Sequence, residues 1–146
     1  QLDWKLRNDE RVVVMEGRNA REGVSLPEAV GLIVADVSFI SLRLAVPPSF
    51  AHLHEGGDVV ALVKPQFEAG REAVGRGGIV RDPADRAAAV IAVAEQFAGV
   101  GLPVVAVVPS RLPGREGNRE IFVHARKGGV AMAAGALADA ALEASR

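Results

Sequence analysis

The 146-residue sequence contains no cysteine, which excludes disulfide bonds and any thiolate nucleophile. It has almost no excess charge, since 17 basic and 18 acidic residues give a formal net charge of −1. Such a chain has no overall field to attract nucleic acid, so an RNA partner would need a local basic patch. Its apolar runs are far shorter than the roughly 18 residues of a membrane span, and we expect neither a span nor a signal peptide.

The residues that are present have the composition of one globular domain. Apolar residues make up 49% of the chain, and about 100–200 residues normally form one cooperative unit. Apolar runs of strand length alternate with helical segments, which predicts an α/β fold with a mainly parallel sheet. We expect strands at 11–16, 32–36, 58–64, 104–108 and 120–124, and helices at 25–30, 42–54, 82–98 and 130–144.

Turn residues set the predicted boundaries of these elements. Gly56 and Gly57 are expected to end the helix over 42–54 and to turn the chain into the third strand. The connection between the last two strands is rich in glycine and proline and is too short for a crossover helix. These two strands should therefore pair antiparallel.

Charged residues stand at the ends of three predicted strands. Asp36 ends the second strand and Lys64 ends the third. Ligands of parallel α/β sheets bind outside the carboxyl ends of the strands, and an antiparallel last strand would bring Glu120 to the same edge. A charged residue at a strand end is ordinarily a solvated terminus, but three at one edge predict a site. Nearby carboxylates would favour the charged lysine and lost hydration would oppose it, a balance suited to proton transfer.

Other catalytic patterns have little support in the sequence. Ser38 and Ser41 lack the G-x-S-x-G context of a hydrolase nucleophile. Three histidines, at positions 52, 54 and 124, argue against a zinc site, and we expect no metal site. The glycine-rich segment 75–78 lacks the Lys-Ser/Thr and helix of a phosphate-binding P-loop, so a flexible loop is the favoured interpretation.

Arginines in two loops form the one candidate surface for contacts with phosphate groups. Acidic residues nearby, at positions 72, 82 and 116, leave open that both loops are simply solvated. The arginines that we predict to bind RNA are Arg71, Arg76, Arg81, Arg111 and Arg115.

Several strings of residues follow one another in a characteristic order up to about Arg126. They are QLDWKLRND at 1–9 with RVVV at 11–14, ADVSFISL at 35–42, LVKPQFEAG at 62–70, GGIVRDP at 77–83, and LPG followed by GNRE within 112–120. In order and spacing they resemble the haemolysin A (TlyA) family of FtsJ-like, S-adenosylmethionine-dependent methyltransferases, which act on ribose 2'-hydroxyls of ribosomal RNA. The resemblance implies a Rossmann-like class I methyltransferase fold, here lacking the first two strands.

The resemblance also implies roles for individual residues. The family has a Lys-Asp-Lys-Glu catalytic set, and its last three members match Asp36, Lys64 and Glu120. In the mechanism that this implies, Lys64 helps to deprotonate a ribose 2'-hydroxyl, with the two carboxylates orienting it. Cofactor contacts are implied for Glu16, Asn19, Ala20 and Asp36.

Some of the family's motifs would precede Gln1. They are the first two strands, the glycine-rich cofactor loop, the first catalytic lysine and an S4-like RNA-binding domain. We therefore expect residues 1–146 to be a partial FtsJ-like methyltransferase domain that binds S-adenosylmethionine weakly or not at all. Micromolar binding in calorimetry would contradict this expectation.

The expected partner is ribosomal RNA or a ribosomal subunit, with cytidine 2'-O-methylation in 16S or 23S RNA implied by the family. Exposed sheet edges predict self-association, and a cytoplasmic location is expected. Two other functions stay open: a membrane-active haemolysin, and an RNA-binding module without activity. The former lacks a strongly basic amphipathic helix, since the last predicted helix is alanine-rich and carries two acids.

Overall fold

Four β-strands form a single sheet in the computed structural model, which describes residues 2–146. The strands are Val30–Ala35 (β1), Leu53–Val63 (β2), Val104–Pro109 (β3) and Ile121–Arg126 (β4), in the order β1-β2-β4-β3. β1 and β2 are parallel, whereas β4 is antiparallel to both of its neighbours. The predicted α/β class and the antiparallel pairing of the last two strands are confirmed. Gln1, the first residue of the family-like strings, lies outside the described residues.

Helices connect the strands and cover one face of the sheet. The longest helix begins after Asp82, whose carboxylate accepts a hydrogen bond of 2.8 Å from the Ala84 amide, and Pro83 stands at its first position. This agrees with the predicted start of the helix at 82. The α-helices are Trp4–Arg7 (α1), Leu42–Ala45 (α2), Pro65–Glu68 (α3), Pro83–Gly99 (α4) and Ala134–Ala144 (α5), and 3-10 turns cover Ala20–Glu22, Pro47–His52 and Arg115–Gly117.

The hydrophobic core lies between the sheet and the α4–α5 layer. Alternate residues of β2 and β4 point into it, as the two-residue period of a strand requires. Phe97 of α4 is fully buried and meets Phe50 edge to face, with ring centroids 5.2 Å apart. The opposite face of the sheet leaves Leu32 and Val34 of β1 exposed.

The strand predicted at 11–16 is wrong. This segment forms no strand, and its Val13 side chain is 78% exposed. A strand requires a hydrogen-bonded neighbour, and within residues 2–146 the sheet ends at β1 without including this segment.

The two short helices predicted before β2 are also placed differently. The helix at 25–30 is wrong: residues 25–29 are irregular, and Val30 instead begins β1, paired with Leu53. The predicted helix over 42–54 ends as α2 at Ala45, because the prolines that follow cannot donate helical hydrogen bonds and start a 3-10 turn.

Gly56 and Gly57 lie within β2 rather than at the end of a helix, which corrects the prediction of a turn there. The pairing with β1 shifts across them, since Val30 faces Leu53 whereas Leu32 faces Asp58. This irregularity uses the positive φ of 76° at Gly56. In the part of the chain that is described, no helix has both the length and the apolar character needed to cross a bilayer.

Candidate active site

Three predicted residues converge at one edge of the sheet. Asp36 directly follows β1, Lys64 directly follows β2, and Glu120 directly precedes β4. Val63 pairs with Ile121 across the antiparallel strands, and this register sets Lys64 beside Glu120. The topology therefore brings together the side chains that the strand ends predicted.

The Lys64 amine makes two polar contacts with the segment after β1. Its Nζ lies 2.7 Å from Asp36 Oδ1 and donates a hydrogen bond of 2.9 Å to Ser38 Oγ. The Lys64 side chain is 14% exposed, whereas that of Asp36 is 64% exposed. The amine is thus held at the end of a largely buried stem, close to solvent and to a carboxylate.

Glu120 completes this group of charges. Burial raises the pKa of Glu120 above its usual value, the positive charge of Lys64 opposes the shift, and the negative charge of Asp36 adds to it. Gly114 leaves the space that the Glu120 carboxyl occupies, since a Cβ at this position would collide with it. Glu120 therefore lies within electrostatic reach of both other residues.

A cavity of about 790 Å³ opens beside the Lys64 amine. Its volume lies within the roughly 300–1,000 Å³ range of small-molecule sites. Phe39 stands at this cavity with φ +62° and an 82% exposed side chain, its ring 5.2 Å from that of Phe67. Residues that line the cavity include Ser38, Phe39, Lys64, Phe67, Asn118 and Glu120.

Two loops beside the cavity are joined by the buried side chain of Asn118. Its Oδ1 accepts a hydrogen bond of 3.2 Å from the Val80 amide, and its Nδ2 donates to Gly78 O at 2.9 Å and to Arg115 O at 3.3 Å. The loop that precedes α4 and the loop that precedes β4 thus form one connected rim.

The arginines predicted to contact RNA lie on these two loops. All five side chains are exposed, and only Arg115 among them lines the cavity. Arg115 Nε also lies 3.6 Å from the carboxylate of Glu116, an acid of the same loop. Exposed guanidinium groups on these loops are compatible with phosphate contacts, and their role stays a prediction.

None of the four predicted cofactor contacts is among the residues that line the cavity. Glu16 is exposed, and its hydrogen bonds to the Arg7 guanidinium, 2.8 Å at both carboxylate oxygens, hold the pKa of Glu16 below its ordinary value. Asn19 caps the Ala20–Glu22 turn by accepting a hydrogen bond of 3.1 Å from the Arg21 amide. Asp36 contacts Lys64, which lines the cavity, although Asp36 itself is not part of the lining.

Two residues of this site, Ser38 and Phe39, are not among those that the sequence predicts. Ser38 lies two positions after Asp36 and contacts the same amine, a role that the missing G-x-S-x-G context does not address. Phe39 occurs in the family-like string at 35–42, which by itself predicts no role for this residue. Their place directly after a strand whose end carries a candidate residue is the signal that could have identified both.

Comparison with known proteins shows the family to which the chain belongs. Residues 1–127 match the FtsJ-like methyltransferase model, which confirms the resemblance and its predicted extent. The chain is 50% identical over 130 residues to the 16S/23S rRNA (cytidine-2'-O)-methyltransferase TlyA of Mycobacterium tuberculosis, a match that covers 86% of this chain and 48% of that relative. It is 39% identical over 127 residues to Hemolysin A of Brachyspira hyodysenteriae, with 85% of this chain and 53% of the relative covered.

A crystal structure shares the fold over the whole chain. It is that of a protein from Lactococcus lactis that carries the name hemolysin, with a TM-score of 0.88 and 41% identity, and the match covers 100% of this chain and 72% of that one. The chain spans about half the length of the curated relatives that it matches. On the family match and these identities, the chain belongs to the FtsJ-like methyltransferases.

Proposed function

We propose that this chain carries the methyl-transfer site of a ribosomal RNA ribose 2'-O-methyltransferase. The observation that carries the proposal is the Lys64 amine, held 2.7 Å from Asp36 at the mouth of a cavity that Glu120 also lines. The matched M. tuberculosis relative is named as an rRNA (cytidine-2'-O)-methyltransferase, and cytidine is the nucleoside that we propose here. A cytoplasmic location follows from a ribosomal substrate.

The residues of the site suit proton removal from a ribose hydroxyl. Lys64 would accept the proton of the 2'-hydroxyl while the ribose oxygen bonds to the methyl carbon and the bond from that carbon to the donor sulfur breaks. Asp36, in direct contact with the amine, stabilises the ammonium ion that results. Glu120, which lines the same cavity and is within electrostatic reach of the amine, would restrict where the hydroxyl can lie.

The residues present also fit the methyl donor. FtsJ-like methyltransferases generally use S-adenosylmethionine. When bound, this cofactor supplies an electrophilic methyl group on a positively charged sulfur. Two carboxylates, Asp36 and Glu120, beside a cavity of about 790 Å³ suit such a cation. We propose Asp36 as a cofactor contact on this ground, and Glu16, Asn19 and Ala20 on the family resemblance alone.

RNA contacts are proposed for the arginine-bearing rim and for Phe39. The chain's net charge of −1 leaves attraction to phosphate groups to local patches, and the five exposed arginines supply one. The exposed ring of Phe39 offers a flat apolar face at the cavity that Lys64 also lines, and a base can stack on it. Replacing Arg71 and Arg76 by Gln should weaken RNA binding and lower its dependence on salt concentration.

The function is tested by locating the transferred methyl group. The full-length protein is incubated with radiolabelled S-adenosylmethionine and ribosomal RNA or subunits that lack 2'-O-methylation. Ribose 2'-O-methylation makes the adjacent phosphodiester resistant to alkaline hydrolysis, so the label should appear in alkali-resistant dinucleotides. Label in base-modified mononucleotides, or no transfer to any of these RNAs, would refute the proposal.

Self-association through the free edge of β1 is a separate proposal. Within residues 2–146, β1 has a hydrogen-bonded partner on one side only, and its Leu32 and Val34 side chains are exposed. Such an edge is a template for pairing with another strand. Light scattering should show a dimer or larger species for these 146 residues, and a monodisperse monomer would contradict the proposal.

A further inference from the structure

The buried carboxylate of Glu68 is not used by the chemistry proposed above. Glu68 is the last residue of α3, four positions after Lys64, and its side chain is 1% exposed. Within residues 2–146 it is the only acidic residue that is buried. A charge in such a place is costly unless several donors surround it, so its partners indicate what it does.

All the partners of Glu68 come from the segment that follows Asp36. Its Oε2 accepts a hydrogen bond of 2.6 Å from the Ser41 hydroxyl, and its Oε1 accepts one of 2.6 Å from the Leu42 amide. Arg43 Nε lies 3.2 Å from Oε2, and Arg43 Nη2 donates a bond of 3.2 Å to the Glu68 carbonyl oxygen. These charge-assisted bonds join two segments that are distant in sequence.

The two segments are thereby connected at both ends. They leave the neighbouring strands β1 and β2, and Lys64 contacts Asp36 and Ser38 at the near end. At the far end, Glu68 holds Ser41 and the residues after it. Between these points the backbone at Phe39 has a positive φ of 62°, a conformation that costs free energy for a residue other than glycine. A closed arrangement of this kind can hold such a conformation in place.

The contact between Lys64 and Asp36 does not fix its own geometry. The Asp36 side chain is largely exposed, and an exposed ion pair contributes little because solvent screens it. A lysine amine also has no rigid fork geometry, so the ion pair itself does not impose one distance between the two segments. The Glu68 carboxylate is better suited to set the distance between the two segments, because it is buried and accepts two hydrogen bonds of 2.6 Å.

We propose that Glu68 is a positioning residue, whose carboxylate holds the 36–43 segment at the distance at which Asp36 and Ser38 meet the Lys64 amine. The inference rests on the proposed function of the site. It assigns to Glu68 no contact with RNA or cofactor: its effect on the reaction passes through Asp36 and Lys64.

The first test is the substitution Glu68→Gln in the full-length protein. Glutamine keeps the size of the side chain but removes the charge and presents an amide group to Ser41 and Arg43. A displacement of about 1 Å in a catalytic group can cost on the order of 100-fold in rate, so we expect kcat to fall about 10- to 100-fold. KM for RNA and for S-adenosylmethionine should change by less than about threefold. Glu95→Gln, on the exposed side of α4, is the matched control and should leave both constants unchanged.

A double-mutant cycle separates positioning from a general loss of structure. If Glu68 acts through Asp36, then Glu68→Gln should cost less than about twofold in a protein that already carries Asp36→Asn. Losses that multiply in full would overturn the proposal. Ser41→Ala removes one of the bonds to Glu68, and should show a smaller fall in kcat with the same non-additivity. This variant keeps the test available if Glu68→Gln does not fold.

Amide hydrogen exchange tests, without reference to activity, whether Glu68 holds the 36–43 segment in place. Amides within 36–43 should exchange about tenfold faster or more in Glu68→Gln or Ser41→Ala, while those of β1 and β2 keep their rates. Unchanged exchange in the 36–43 segment would overturn the role of Glu68 whatever the activity. If the unsubstituted protein transfers no methyl group to ribose, the proposed function fails, and the exchange result still decides on the positioning role.

Discussion

Replacement of Lys64 by methionine tests the centre of the proposed mechanism. Methionine keeps an unbranched, flexible side chain of similar length and removes only the amine that contacts Asp36 and Ser38. A positioned general base contributes about 10²- to 10⁴-fold to a rate. We therefore expect kcat to fall by at least about 100-fold, which corresponds to about 3 kcal/mol of transition-state stabilisation.

The stability of the protein should change much less than its activity. The Asp36 partner is mostly exposed, and exposed ion pairs contribute about 0–1 kcal/mol to folding. The buried part of the Lys64 stem is replaced by an apolar chain of similar volume. The free energy of unfolding should therefore stay within about 1 kcal/mol of the original value, measured by urea denaturation.

A second lysine in the chain provides the matched control. Lys127 lies 3.1 Å from Glu55 and donates a hydrogen bond of 2.8 Å to the Leu53 carbonyl oxygen, at the end of β2 far from the cavity. Lys127→Met removes the same group from a comparable ion pair and should leave methyl transfer unchanged. Retention of more than about a tenth of the activity by Lys64→Met, or an equal loss in Lys127→Met, would refute the reasoning.

Three further predictions concern the core, the rim of the cavity and the outer face of the sheet. Phe97→Ala removes a fully buried ring that packs on Phe50. Urea denaturation should show a free energy of unfolding lower by about 3–5 kcal/mol, and a loss below about 1 kcal/mol would contradict the packing. Asn118→Ala leaves the buried Val80 amide without its acceptor, so it should lower the free energy of unfolding by about 1–3 kcal/mol. It should also weaken RNA binding in filter assays, and undiminished affinity would argue against a connected rim. The Arg126 guanidinium, with His124, holds the pKa of Asp58 far below its usual value. Ionised Asp58 therefore stabilises the fold above about pH 4. This contribution is lost as the pH falls through the lower pKa of the folded state. Unfolding measurements at pH 7 and pH 3 should therefore show a smaller difference between Asp58→Asn and the original protein at pH 3, and an equal difference would contradict the coupling.

The parts of the fold that local sequence determines were predicted well. Helix α4 begins at its capping Asp82 because the cap, the following proline and the apolar spacing all act within a few residues. The segment at 11–16 has equally good local signals for a strand and forms none. Strand formation depends on a partner that is distant in sequence, so a β-branched run alone cannot decide it. The same holds for β2, whose start at Leu53 depends on pairing with Val30.

The residues of the candidate site differ in the same way: some could be predicted from the sequence and others could not. Asp36, Lys64 and Glu120 could be predicted because each stands at the end of a strand, and topology brings such ends together. Ser38 and Glu68 could not, since their roles depend on contacts across 26 or 27 residues that no local pattern shows. A sequence can identify the residues that carry the charge, whereas the residues that fix the distances between them emerge only from the structure.

The buried polar side chains of Glu68 and Asn118 are therefore important for the geometry of this site. Glu68 joins the segments that follow β1 and β2, and Asn118 joins the two loops of the arginine-bearing rim. Each replaces hydrogen bonds to water by several bonds within the protein, so its net contribution to folding is modest while its effect on geometry is large. Reaction rates depend on distances of a few tenths of an ångström, whereas folding stability depends on the sum of many contacts. Substitutions at these two positions should therefore lower methyl transfer by a larger factor than their effect on the free energy of unfolding would predict, and a simple proportion between the two would mean that neither side chain sets the geometry of the site.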